Sequence, residues 1–170
     1  EANVYVCDDS REPHSYDDTP FPGAAYEACR TGDQARAVAR LSALTSPGNA
    51  VVVEADRGRG KSSAAGLAAA ALAAAGQDVL VTAPGIDSAA ELFARANELL
   101  ATLGASDDSA EMDDSSESTQ TATPPLSTTA GGRIRFAPPP EAATLPEAPD
   151  VVIADEAAAL PVAVLDSLLD

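Results

Sequence analysis

A short apolar, mostly β-branched run, Ala50 to Ala55 (AVVVEA), passes into a turn rich in glycine and arginine, Asp56-Arg57-Gly58-Arg59-Gly60, and then into Lys61-Ser62-Ser63 and a long alanine-rich stretch. Few local patterns constrain a chain more. A strand must turn directly into a helix whose first amides lack intrahelical partners, and such a junction favours an anion through both its amides and its dipole. The phosphate-loop pattern is G-x-x-x-x-G-K-[ST]: loop amides cradle phosphates, the lysine reaches the β/γ oxygens and the hydroxyl reaches Mg2+. Gly60-Lys61-Ser62 fits it, Ala55 stands where the first glycine belongs, and Gly58 supplies freedom in mid-loop. The alternative is an incidental glycine-rich turn. Composition speaks against that: of the ten basic residues nine are Arg, and the single lysine is Lys61.

The surrounding pattern predicts the context such a loop needs. Thr31-Gly32-Asp33-Gln34 has capping-box spacing, in which Gln34 would reach back to the Thr31 amide. Val38, Leu41 and Leu44 follow on one helical face, and Ser46-Pro47-Gly48-Asn49 ends the helix. AVVVEA reads as a strand buried on both faces. The alanine-rich helix runs from about Lys61 to Ala75 and closes at Gly76. Val79 to Ala83 is a second strand, and Ser88-Ala89-Ala90-Glu91 a second capping box. Leu92, Ala96, Leu99, Leu100 and Leu103 then form one stripe ending at Gly104. Arg133 to Ala137 alternates as a strand with one wet face, Val151 to Ala154 is a third buried strand, and Pro161 opens a last helix. Strand and helix alternate, so the expected fold is α/β: a phosphate-loop NTPase of the RecA or helicase-like type, with a mostly parallel sheet flanked by helices and right-handed crossovers.

The expected domain runs over 31–170. Residues 1–30, with three prolines between Asp8 and Gly23, read as a linker or the tail of a preceding domain. Residues 104–132 carry six acids, eleven Ser or Thr and no Lys or Arg, and read as a disordered acidic insertion. His14, Cys7 and Cys29 lack neighbours that would make a metal site or an activated thiol, so no structural metal is expected. No apolar run approaches a membrane span and no secretory leader precedes the domain, which leaves a cytoplasmic reading. The net charge is −17 with 4% aromatics. With 45% hydrophobic residues a core remains affordable, so the charge fits adaptation to molar salt, where self-repulsion is screened.

Val151-Val152-Ile153-Ala154-Asp155-Glu156 is the natural partner of the loop: Asp155 would hold Mg2+, with Ser62 as its other protein ligand, and Glu156 would orient or deprotonate water. Gln34 stands 27 residues before Lys61. There it could read an adenine edge or merely cap its helix, and spacing does not choose. Thr82-Ala83-Pro84 could touch a nucleic-acid backbone, but a strand ending at a proline turn is the preferred reading. Arg133 and Arg135 could meet RNA, though in so acidic a chain pairing with carboxylates is favoured.

Taken together, Thr31-Gly32-Asp33-Gln34-Ala35, RGRGKS at 57–62, VTAP at 81–84, RFAPP at 135–139 and DEAAALP at 155–161 resemble the tRNA(Met) cytidine acetyltransferases, the TmcA family, and the acidic composition suggests a haloarchaeal member. The resemblance covers about Tyr26 to Asp170. It implies a helicase-like ATPase module coupled to a GNAT-type acetyltransferase that acetylates the wobble cytidine of elongator tRNA(Met), using acetyl-CoA and ATP or GTP with Mg2+. It implies nucleotide binding by Gln34, Arg57, Gly58, Arg59, Gly60, Lys61, Ser62 and Ser63, catalytic roles for Lys61, Asp155 and Glu156, and metal binding by Ser62 and Asp155. The acetyl-CoA site, the main tRNA-binding tail and the arginine that completes the ATP site have no counterpart in this stretch, and oligomeric state is not addressed. Competing readings are a phosphate-loop kinase, disfavoured by the scarcity of lid arginines, a helicase unrelated to acetylation, and a nucleotide-sensing module without turnover.

Overall fold

The computed structural model describes residues 3–6, 20–107, 125–142 and 144–169. Its organising element is the alanine-rich helix. In chain order the elements are β1 (Asn3–Val6), α1 (Gly23–Glu27), α2 (Gly32–Leu41), β2 (Asn49–Val52), α3 (Lys61–Ala74), β3 (Asp78–Thr82), α4 (Ala90–Leu103), β4 (Leu126–Ser127), β5 (Arg133–Phe136), α5 (Pro139–Ala142), β6 (Val151–Ala154) and α6 (Val162–Leu169). α3 is apolar all round, and a helix with no polar face has to be enclosed. Leu67 to Ala73 are accordingly buried, with α2 and α4 packed on the helix and β3 behind it. Gly66 sets the spacing: a Cβ there would lie 2.3 Å from the Leu92 carbonyl oxygen of α4. Gly76, at φ 91°, closes α3, and the Gln77 amide reaches back to the Leu72 carbonyl at 3.2 Å.

Four strands form one sheet in the order β4-β5-β3-β6, parallel except for β4, which runs antiparallel at the edge. Val79, Val81, Ile134, Val151 and Ile153 face the α1–α4 side and build the main core with α3 and α4. Leu80 and Val152 face the other side, where Ala137, Ala142, Leu145 and Leu168 make a much smaller cluster. β1 and β2 pair in parallel, Tyr5 opposite Val51, as a separate two-stranded sheet, while Val51 and Val53 pack against the main core. The α/β class, the central sheet and the flanking helices match the sequence reading.

Several expectations change. The strand within AVVVEA spans Asn49–Val52 and is not buried on both faces: Val52 is 45% exposed, because among the described residues β2 hydrogen-bonds to a strand on one edge only. The second capping box does not form. A 3-10 turn over Ile86–Ala89 leads straight into α4, the N-cap is Ala89, and the Ser88 amide is satisfied by the Gly85 carbonyl. Residues 1–30 are not simply a linker: β1 pairs with β2, and Phe21, Ala25 and Tyr26 are buried in the main core. The expected insertion is narrower than 104–132. Ser106 bridges Thr128, β4 pairs with β5, and the buried Thr128 hydroxyl donates to the Ala73 carbonyl at 2.9 Å, since the end of α3 needs acceptors satisfied where the chain covers it. Residues 108–124, which hold most of the acidic stretch, lie outside the described residues, as do Cys7 and His14.

Candidate functional site

α3 opens on Gly60, whose left-handed backbone (φ 80°, ψ 27°) lets the chain turn from loop to helix without a side-chain cap. Gly58 adopts the same φ, and the Arg59 amide closes a turn on the Asp56 carbonyl at 3.3 Å. The amides of Lys61, Ser62 and Ser63 therefore point out of the first turn of a 14-residue helix. Lys61 folds back over the loop. Its Nζ donates to the carbonyls of Ala55 and Asp56, the latter at 2.9 Å. A cation held only by carbonyl dipoles at a helix N-terminus can be recruited by an anion arriving there. Arg57 and Arg59 are exposed on the rim, and Ser62 is half-buried. Ser63 is different: its side chain is buried and its Oγ accepts from Arg95 Nε at 3.1 Å. Only its amide remains for the loop.

β6 delivers the second half. Asp155 follows the strand, its amide bonded to the Thr82 carbonyl at 2.9 Å. Its Oδ1 accepts the Glu156 amide at 3.0 Å, while Oδ2 is buried with no partner in the protein. A buried carboxylate oxygen without a donor is costly, and a water or hydrated cation would satisfy it. Glu156 is exposed and is the one non-glycine residue at positive φ (53°) among those described, so its backbone is strained where a functional side chain is expected. α3 ends beside the start of β3, as the short link from Ala74 to Asp78 and the Thr128–Ala73 bond require. Its N-terminus thus points toward the C-terminal ends of β3 and β6, the end where Asp155 and Glu156 emerge. Among the described residues no three His, Cys, Asp or Glu gather as a metal group. One carboxylate and one hydroxyl are a donor set suited to Mg2+, which keeps its waters and relies on substrate phosphates.

Gln34 forms only part of the capping box that its spacing allowed. Its amide donates to Thr31 Oγ1 at 3.2 Å, but its Oε1 accepts from the Arg30 amide at 2.7 Å instead of the Thr31 amide. Its Nε2 reaches the Gly60 carbonyl at 3.4 Å. Gln34, 6% exposed, therefore lies under the loop, so close that a Cβ on Gly60 would meet Nε2 at 2.0 Å. Thr82 is fully buried, which favours the strand-end reading over contact with a nucleic acid. Arg133 and Arg135 pair with acids as favoured: both bond Asp78, Arg135 through Nε (3.1 Å) and Nη2 (2.9 Å), and Arg133 also meets Glu147 at 3.0 Å. Cys29 donates to the Ala25 carbonyl, and burial pushes its thiol up to about 11, so it is no nucleophile. Sequence reasoning missed Arg95. An arginine on the buried stripe of a helix was the signal available.

A mixed α/β domain with a central, mostly parallel sheet flanked by helices has the architecture of a helicase-like domain. Residues 52–170 match the model of the RNA cytidine acetyltransferase NAT10/TcmA helicase domain, and the chain belongs to that family. It is 53% identical over 152 residues to the tRNA(Met) cytidine acetyltransferase TmcA of Haloferax volcanii, covering 89% of this chain and 19% of that protein. The Haloarcula marismortui protein of the same name is also 53% identical, over 90% of this chain and 19% of its own length. That of Nitrosococcus halophilus is 33% identical over 88% of this chain and 18% of its own. The chain thus spans about a fifth of the length of these curated relatives. No helix among the described residues is long and apolar enough to cross a membrane.

Proposed function

We propose that this chain is the nucleotide-binding and nucleotide-hydrolysing portion of an RNA cytidine acetyltransferase, a phosphate-loop NTPase module. In the full-length protein it serves formation of N4-acetylcytidine at the wobble position of elongator tRNA(Met), with acetyl-CoA as acetyl donor and the cytoplasm as its place of work. What supports the reading is a lysine resting on loop carbonyls at the start of α3 together with a buried carboxylate after β6 that has an unpartnered oxygen. In this reading the amides of 58–63 receive the β- and γ-phosphates of ATP or GTP. Lys61 leaves the carbonyls of Ala55 and Asp56 and follows the phosphate charge. Arg57 and Arg59 flank the phosphates from the rim. Ser62 Oγ and Asp155 Oδ2 would hold Mg2+, which would supply charge neutralisation for phosphoryl transfer. Glu156 orients the attacking water and takes its proton. Gln34, fixed beneath Gly60, presents its helix end to the base side of the site.

Lys61→Ala in the full-length protein tests this. Hydrolysis of ATP and GTP should be abolished and ATP-driven acetylation of tRNA(Met) suppressed, while acetyl-CoA binding, which belongs to another part of the protein, survives. Normal ATP-driven acetylation by this variant would refute the assignment. Hydrolysis by the chain alone should be slow, since a charge-stabilising arginine is worth roughly 10³–10⁵ in related NTPases. Equal turnover by the chain and the full-length protein would show its site to be complete.

A further inference from the structure

We propose that Arg95 is a positioning residue for the loop: it holds the first turn of α3 at the angle from which the loop binds phosphate. The proposal rests on the nucleotide reading above. Arg95 lies on α4, 8% exposed, and its guanidinium serves three elements at once. Nε donates to Ser63 Oγ in the first turn of α3 at 3.1 Å. Nη2 donates to the carbonyl of Ala28, which caps the end of α1, at 2.6 Å. Nη1 pairs with Glu98 one turn further along α4. A planar fork can satisfy such divergent acceptors together; an ammonium cannot.

The bond to Ser63 closes a ring. From Ala28 the chain runs two residues to Arg30, whose amide donates to Gln34 Oε1, and Gln34 Nε2 donates to the Gly60 carbonyl. Gly60 and Ser63 bracket Lys61 and Ser62, and each is bonded to a side chain from outside the loop. Gly66 reinforces the arrangement by letting α4 come so near that Arg95 Cβ would lie 3.1 Å from an added Cβ. The Lys61 side chain adds no outside anchor, for it bonds to the loop's own Ala55 and Asp56 carbonyls. Rigidity at the base is what lets amides meet phosphate without reordering, and a site loosened by about an ångström loses much of its binding.

The test compares Arg95→Met, which keeps bulk and apolar packing, Ser63→Ala, which removes only the hydroxyl, the double variant, Arg95→Lys and Lys61→Ala in the full-length protein. Three quantities are measured: Kd for Mg-ATP, Kd for adenosine, and hydrogen exchange of residues 57–64 without nucleotide. Arg95→Met should weaken Mg-ATP roughly tenfold, the size of one hydrogen bond to a charged group, and leave adenosine within about twofold. Ser63→Ala should act in the same direction, the double variant no worse than the poorer single one, and Arg95→Lys should fall between. Exchange in 57–64 should quicken in both single variants. A purely structural role would lower Tm yet shift ATP and adenosine alike. Unchanged ATP affinity and unchanged exchange in Ser63→Ala overturn the proposal even should Arg95→Met fail to fold, and so does strict additivity. Normal ATP binding by Lys61→Ala would instead remove the nucleotide reading, with the exchange data still deciding whether Arg95 positions the loop.

Discussion

At its N-terminal end the central strand β3 carries Asp78, which bonds Arg133 and Arg135 from the neighbouring strand β5, while its amide donates to the Asp150 carboxylate and Glu147 joins Arg133. Charge meets charge here, and the one buried atom left without a partner beside this cluster, Gln77 Oε1, is neutral. Around the C-terminal end the accounting is different. Lys61 rests on carbonyls, Asp155 Oδ2 has no partner, Thr82 Oγ1 is likewise buried and unpartnered, and Glu156 sits at positive φ. One sheet thus ends in an ion cluster that serves only the fold and in a set of polar groups that the fold leaves unsatisfied. The contrast teaches which end to suspect of function, because a buried carboxylate oxygen without a donor costs more than a neutral amide oxygen in the same state.

A crossed pair of variants would break this comparison most sharply. Lys61→Ala should cut NTP turnover in the full-length protein by at least about a hundredfold while leaving Tm within about 2 °C, since its bonds are exposed. Asp78→Asn should do the reverse, leaving Mg-ATP affinity unchanged and lowering stability by about 1–2 kcal/mol in urea unfolding. Should Asp78→Asn abolish ATP binding, the two ends are not independent.

Salt separates the two kinds of charge next. With a net −17, much of it exposed carboxylate, the chain should gain roughly 5–10 °C in Tm between ~0.1 and ~2 M KCl, as screening shortens the reach of each acid. A chain most stable in dilute buffer would remove the salt-adaptation reading. The acidic surface also predicts a shallow salt dependence of tRNA affinity in the full-length protein, since few phosphate contacts would release counterions.

Acid titration sharpens the N-terminal end. Partial burial on its own raises the Asp78 pKa, but the hydrogen bonds and charges of Arg133 and Arg135 outweigh it, and the net direction is down from 3.8. A carboxylate depressed in the folded state contributes stability that is complete above its unfolded value and is lost as pH falls through the folded one. Stability should therefore drop as pH falls below about 4, and Asp78→Asn should flatten that part of the profile. An unchanged slope would mean that other acids dominate it.

The smallest effect on stability concerns Glu156. Asn tolerates the left-handed region better than Glu, so Glu156→Asn should stabilise the fold by about 0.5–1 kcal/mol while abolishing hydrolysis. A destabilised variant would show that the Glu156 side chain supports the fold. Deleting residues 108–124 alone, a stretch with no Lys or Arg, should leave nucleotide affinity nearly unchanged. A deletion reaching Thr128 should not be neutral, because it removes the bond to Ala73 at the end of α3.

Much of this was legible in the residues themselves. The alternation of apolar runs with glycine-closed helices determines an α/β sheet, and Gly60-Lys61-Ser62 with Asp155-Glu156 marks the loops on which the proposed function rests, because both are local patterns with periods and spacings that backbone geometry imposes. The pairing of Arg133 and Arg135 with acids followed from composition alone. Only the tertiary structure decided the rest. That Gln34 props Gly60, that Ser63 answers to Arg95, that Tyr26 joins the core and that Thr128 secures the end of α3 are contacts between residues 26–67 positions apart or between segments with no pattern of their own. Periodicity reports which face of an element is buried. It says nothing of which buried polar atom will meet which, since that depends on how closely two helices approach, and here the approach hangs on the missing side chain of Gly66.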